Sequence, residues 1–256
     1  MKSVWPLFRS MIAAAALFIL VFGLGGLLVR VFIWPLAVMF PGAMAPAAGP
    51  LARVFCRAIF FFIRLGGGRV TVRGRIPADQ PCFIVMNHQS LLDILVAVMA
   101  AQPRLPAFVT RRRYARGFPL ISPTIRILRW PVIEPTGDPA EALRTLAMAA
   151  KSHPALLIFP EGHRGRDGEI GPFATAGLWA LFKTQRRPVY AIVGDGSWGS
   201  SHGRDLFTSL PAISVEAEVL GPFFPPPSGG MKDFIDEIRR TMIAKLNEMR
   251  KARVSL

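Results

Sequence analysis

The 256-residue chain carries 31 Lys and Arg against 16 Asp and Glu, a net charge of +15 at pH 7 with histidine neutral, and 52% of its residues are hydrophobic. A mean hydropathy of +0.38 excludes a long disordered polymer, and the length suits one α/β domain with an anchor. The positive excess favours anionic partners; with no zinc-finger spacing and no aromatic-basic RNA signature, these are anionic membrane lipids or phosphorylated substrates rather than nucleic acid.

No charge interrupts Ser10 to Val29, a run of roughly 20 residues between Arg9 and Arg30 that is long enough for a helix to cross a bilayer core. It exceeds a signal-peptide apolar region, and the nearest downstream small-residue site, Ala43-Met44-Ala45, lies well beyond its end. Val31 to Ala52 is again uncharged, but Pro35, Pro41, Pro46 and Pro50 forbid one straight helix and predict a broken connector. A second apolar helix is predicted over Leu51 to Leu65, with Arg53, Arg57 and Arg64 snorkelling to anionic headgroups. Gly66, Gly67 and Gly68 then release the chain. Residues 1–66 therefore read as a membrane anchor, spanning or dipping into one leaflet, and residues 67–256 as the catalytic domain.

Beyond the glycines, strands are predicted near Arg69 to Arg73, Phe83 to Met86, Ala107 to Thr110, Pro131 to Ile133, Leu156 to Phe159, Val189 to Val193 and Ser214 to Leu220. Helices are predicted near Leu91 to Ala101, Pro139 to Lys151, Phe173 to Gln185 and Lys232 to Lys251. This alternation predicts an α/β fold, a mixed sheet flanked by helices. The cysteines, Cys56 and Cys82, sit far apart in apolar stretches and read as small buried hydrophobes rather than a disulfide or metal pair.

Asn87-His88-Gln89-Ser90-Leu91-Leu92-Asp93 follows the strand "CFIVM" and precedes the apolar run "ILVAVMA". Ser90 reads as the helix N-cap with Asp93 in the first turn, which leaves His88 in the strand-to-helix turn. Residues five apart on a continuous helix diverge by about 140°, but a turn can fold the imidazole back to the carboxylate. Asp93 would then orient His88, whose other nitrogen takes a proton from an attacking hydroxyl. The plain structural alternative is a polar loop histidine and a helix-start acid.

Phe159-Pro160-Glu161-Gly162-His163-Arg164 follows the buried strand "ALLIF", where ligand groups gather in open α/β sheets. Gly162 permits close backbone approach, Arg164 offers a fork matched to phosphate oxygens, and Glu161 orients that arginine or accepts from substrate hydroxyls. The alternative is a turn carrying a solvated Glu-Arg pair. Gly199-Ser200-Ser201-His202-Gly203 matches a serine-hydrolase elbow, but Ser201 lies several residues past the strand with no long helical pattern after it.

These motifs resemble those of the glycerolipid acyltransferases related to 1-acylglycerol-3-phosphate acyltransferase. "NHQSLLD" is similar to the family's N-H-x-x-x-x-D, "FPEGHR" to F-P-E-G-x-R, and "RPVYAIV" to its final V-P-V/I block. The resemblance implies a His88–Asp93 dyad, acceptor binding by Glu161, Gly162 and Arg164, and an acyl-CoA or acyl-carrier-protein donor. It also implies no metal or other cofactor, and a membrane-embedded N-terminal helical pair.

The family's remaining motif is usually glycine, apolar residues, an acidic residue and then arginine. Here "RWPVIEP" puts Arg129 at the glycine position and Pro135 at the arginine position, and His163 fills a position often held by threonine. Arg129, with Arg111, Arg112, Arg113, Arg116 and Arg126, is a candidate for the missing charge on the substrate, or for attraction to the membrane surface. The expected reaction moves a fatty acyl group to the free hydroxyl of a lysophospholipid, foremost 1-acylglycerol-3-phosphate, at a cytoplasmic membrane face. A lyso-aminolipid acceptor and a non-catalytic lipid-binding protein are the alternatives.

Overall fold

The computed structural model describes residues 5–118, 121–134, 136–165, 167–198 and 210–254. Helix α1 (Trp5–Phe18) runs through π-helical turns at Ile19–Gly25 and Val29–Ile33, either side of α2 (Gly26–Leu28), into α3 (Trp34–Met39). The chain breaks at Phe40 (φ −133°, ψ 62°), and α4 (Pro41–Leu65) follows. The predicted broken connector thus narrows to one residue. Pro41 occupies a first helical turn, where no intrahelical N–H is lost, and Pro46 and Pro50 lie inside α4.

The segments Leu7–Met39 and Pro46–Leu65 are long and apolar enough to cross a membrane. Leu7, Met11, Ile12, Phe18, Leu24, Leu27, Phe32 and Val38 remain exposed along the first of them. On the inner side, Ala13 and Leu17 of α1 and Cys56, Ile59 and Ile63 of α4 are buried in a cluster that continues into the main domain. Two arginines of α4 also meet backbone carbonyls. Arg53 donates to Pro103 O (2.5 Å), and Arg64 donates to Val70 O (2.7 Å).

The sheet contains β1 (Arg69–Arg73), β2 (Cys82–Met86), β3 (Ala107–Phe108), β6 (Ala155–Ile158), β7 (Val189–Asp195) and β8 (Ser214–Phe223), in the order β1-β8-β7-β2-β6-β3. Among the described residues only the β7–β8 pairing is antiparallel, so the sheet is mixed, as expected. A small parallel pair joins β4 (Thr110–Arg111) to β5 (Val132–Ile133). The single strand predicted from Ala107 to Thr110 therefore divides at Val109, whose N–H donates to Leu157 O (3.0 Å).

β2, β6 and β7 are buried along their whole length, and each strand serves both faces with period two. Cys82, Ile84 and Met86 face one core with α4 and α5 (Leu92–Ala100). Phe83 and Val85 face a second core with α7 (Pro139–Ser152), α8 (Thr175–Thr184) and α9 (Met231–Val254). A further short helix, α6 (Ile121–Ile127), was not foreseen: seven residues with a proline and three isoleucines carry too little helical periodicity.

Candidate active site

The neighbouring strands β7, β2 and β6 are parallel, so their carboxyl ends lie side by side. His88 comes two residues after β2, Glu161 three after β6 and Ser197 two after β7. Open α/β sheets gather ligand groups at such an edge. Asn87 locks it: its amide donates to Gly194 O and its carbonyl accepts from Gly194 N, both at 2.8 Å.

Asp93 folds back from the first turn of α5 and is 2% exposed. Its Oδ2 accepts from Gln89 N (2.6 Å) and Ser90 N (2.8 Å) and lies 2.9 Å from His88 Nδ1. Its Oδ1 accepts from Ser197 Oγ (3.1 Å). The helix begins one residue later than a Ser90 N-cap predicts, yet Ser90 Oγ still accepts from Leu92 N (3.0 Å), so the cap chemistry is retained.

The His88 backbone is held from the other side by the loop after β6. Its N–H donates to Glu161 Oε1 (3.0 Å), its carbonyl accepts from Gly165 N (2.7 Å), and its ring stacks on Phe159 with centroids 3.9 Å apart. With Nδ1 committed to Asp93, Nε2 is the nitrogen left for a ligand.

Glu161 has a different employment from the one its motif position suggested. It is buried, and its second oxygen accepts from Gly171 N (3.0 Å), so the carboxylate bridges two backbone amides instead of facing the cleft. Burial pushes its carboxyl above the usual value, outweighing the downward pull of those amides. Gly162 has φ +70°, and a Cβ there would meet nothing within 4 Å. The left-handed turn, rather than close approach, requires glycine.

A cleft of about 690 Å³ opens in front of His88. Buried Phe108, Leu146 and Ile158 form its floor, while Arg113, Gly162 and His163 are exposed at its rim and Arg164 lines the same space. The guanidinium of Arg111 donates to Gly162 O and ties the rim to the β6 loop. Arg129 does not line this cleft. It is exposed, takes φ +51°, and borders a separate hollow beyond Trp130, which both cavities share. A positive φ explains why glycine suits that position. Pro135 and the Gly199–Gly203 motif lie outside the described residues.

Three contributors were not singled out from sequence. Gln89 meets Asp93 through its backbone N–H within the same turn, Ser197 meets it from 104 residues away, and Arg239 of α9 donates to the carbonyls of Ile170 and Gly171 (3.0 and 2.8 Å). Only the "Q" of "NHQSLLD" carried a hint, as an amide in a turn. The other two lie outside any motif.

A His–Asp pair at the carboxyl edge of an α/β sheet, facing an apolar cleft with a cationic rim, defines a class of site suited to deprotonating a hydroxyl beside a lipid chain. The sequence model of the acyltransferase family matches residues 69–195, and the chain belongs to that family. It is similar to the chloroplastic 1-acyl-sn-glycerol-3-phosphate acyltransferase BAT2 of Brassica napus, 25% identical over 66% of this chain and 48% of that protein. It is also similar to 1-acyl-sn-glycerol-3-phosphate acyltransferase alpha of Mus musculus, 27% identical over 59% of this chain and 57% of that one. The chain thus spans about half the length of these relatives. Its fold matches the crystal structure of the 1-acyl-sn-glycerophosphate (LPA) acyltransferase PlsC from Thermotoga maritima, with a TM-score of 0.62 and 19% identity over 96% of this chain and 98% of that one.

Proposed function

We propose that the chain transfers a fatty acyl group from an acyl-CoA or acyl-carrier-protein thioester to the free hydroxyl of 1-acylglycerol-3-phosphate, making phosphatidic acid. The observation that carries this reading is the His88 side chain, 17% exposed, with Nδ1 on Asp93 and the ring lining an apolar cleft. Nε2 takes the acceptor hydroxyl proton as that oxygen attacks the thioester carbonyl carbon. The tetrahedral intermediate expels the thiolate, and the imidazolium returns the proton to sulfur. No covalent enzyme intermediate is needed.

Arg164 and Arg113 hold the acceptor phosphate at the rim, and the apolar floor takes an acyl chain. Asp93 orients the base and balances its charge; Glu161 acts through the His88 backbone. Arg129 serves the surface, and its charge attracts anionic lipid. Residues 1–66 anchor the protein in a membrane with the catalytic domain on the cytoplasmic side, supported by the two long apolar segments and the exposed apolar side chains of the first.

The test is thiol release by the purified protein, offered lysophosphatidic acid or other lysolipids with either donor. His88→Ala is expected to lower turnover by roughly 10²- to 10⁴-fold in a folded protein. Arg164→Ala is expected to raise the apparent KM for the acceptor more than for the donor. Near-normal turnover of folded His88→Ala would sink the mechanism.

A further inference from the structure

The buried end of Asp93 is built as carefully as the end that meets His88. We infer that Ser197 is a positioning residue that, with Asp93, sets the orientation of His88; this rests on the proposed acyl transfer.

The two carboxylate oxygens of Asp93 have separate partners. Oδ2 gathers Gln89 N, Ser90 N and His88 Nδ1, whereas Oδ1 accepts from Ser197 Oγ at 3.1 Å. Rotation about the Cβ–Cγ bond moves both oxygens together, so whatever holds one also steers the other. A donor on the second oxygen fixes the carboxylate plane and so aims Oδ2 at the imidazole. Asp93 and Ser197 are 2% and 1% exposed, so water does not readily substitute for the hydroxyl.

Ser197 is itself fixed from three directions. Its N–H donates to Gln89 Oε1 (3.3 Å), and Gln89 Nε2 donates to Gly168 O (3.0 Å), which sets the orientation of that amide. Gly168 O also accepts from Arg250 Nη2 (2.7 Å), and Asp195 is ion-paired with Arg250 and Arg253 of α9. Between them Gly196 has φ +87°, and a Cβ there would lie 1.8 Å from Ser214 O. Only glycine allows β7 to turn this tightly against the start of β8 and deliver Ser197 under Asp93. The hydroxyl also lies 3.3 Å from Gln89 Oε1, but its single proton goes to Asp93, where it meets an anionic acceptor at shorter range.

A merely structural hydroxyl and a positioning one differ in what their loss does to the reaction. Ser197→Ala is expected to lower kcat roughly tenfold, the scale of one hydrogen bond to a charged group, with both KM values within about twofold of the parent. Ser197→Thr, which keeps the hydroxyl, is expected to stay within about threefold of the parent. In an Asp93→Asn background, followed with a radiolabelled acyl donor, Ser197→Ala should add less than about a twofold loss, because the charge it orients is gone. If Ser197→Ala does not fold, as judged by circular dichroism, Ser197→Cys is read by the same measures with its weaker donor. A kcat for Ser197→Ala within about twofold of the parent, or an undiminished loss in the Asp93→Asn background, overturns the role of Ser197 alone. A folded parent with no thiol release under any donor overturns the acyl-transfer reading and this inference with it.

Discussion

Replacing Asp93 by Asn separates what this side chain does for the fold from what it does for the reaction. An amide oxygen at the Oδ2 position still accepts from Gln89 N, Ser90 N and His88 Nδ1, and the amide NH₂ at the Oδ1 position can donate to Ser197 Oγ. Every buried polar group keeps a partner, and only charge is lost. Charge-assisted hydrogen bonds exceed neutral ones by roughly 1 kcal/mol each, so over these four the stability cost is about 4 kcal/mol. The proposed transfer suffers too, because the imidazolium formed as the hydroxyl attacks would have no buried counter-charge. A kcat reduced by roughly 10²- to 10⁴-fold corresponds to about 2.7–5.4 kcal/mol of barrier. Asp93→Ala instead strands the buried N–H groups of Gln89 and Ser90 at about 1–3 kcal/mol apiece. That is a large share of the roughly 5–15 kcal/mol that keeps a domain folded. Thermal unfolding followed by circular dichroism, beside thiol release at saturating donor, should show Asn folded but nearly inactive and Ala much less stable. Turnover of Asp93→Asn within about threefold of the parent, or an Ala variant as stable as the parent, would refute the reasoning.

Glu161→Gln should alter the pH dependence of stability. Burial raises the folded carboxyl above its ordinary value of 4.5, so the folded state binds this proton more tightly than the unfolded chain does. The contribution of Glu161 is therefore most favourable below the ordinary value and declines as pH rises through 4.5 toward the raised folded value. Urea titrations from pH 4 to pH 8 should show the stability of the parent relative to Glu161→Gln falling with pH, and the opposite slope would mean that the amide donors dominate. Glu161→Gln should also lose activity, since its one carbonyl oxygen can serve only one of the two amides, His88 N and Gly171 N, and its NH₂ cannot accept from the other. Cys82 is fully buried with its thiol pushed up by that burial, and Cys56 is buried as well. The native protein should thus give almost no reaction with a disulfide thiol reagent at pH 8, while the denatured protein gives two thiols per chain. The protein should stay with membranes through high salt and alkaline carbonate washes, because apolar insertion, unlike surface charge, is not screened. Release by either wash would dismiss the anchor.

Much of the architecture is legible locally. "CFIVM", "ALLIF" and "VYAIV" are short apolar runs that only a sheet covered on both faces can bury whole, and they form the three central strands. The spacing from His88 to Asp93 across a strand-to-helix turn likewise anticipated a contact that is 2.9 Å long in the folded chain. Less legible was where individual side chains point. Glu161 looked like a substrate ligand but turns inward onto two backbone amides, and Arg129 borders a hollow beyond Trp130 instead of the His88 cleft. Arg53 and Arg64, expected with Arg57 to reach lipid headgroups, also hydrogen-bond to protein carbonyls. The strands, the central helices and the His88–Asp93 contact could be read from the chain alone, since period and turn chemistry act over a few residues. Tertiary structure alone decided that three parallel strand ends meet, that Ser197, 104 residues from Asp93, closes onto its carboxylate, and that α9 fastens the loop behind Glu161. Such contacts arise from strand order and packing between distant segments, and neither leaves a periodic mark on the chain.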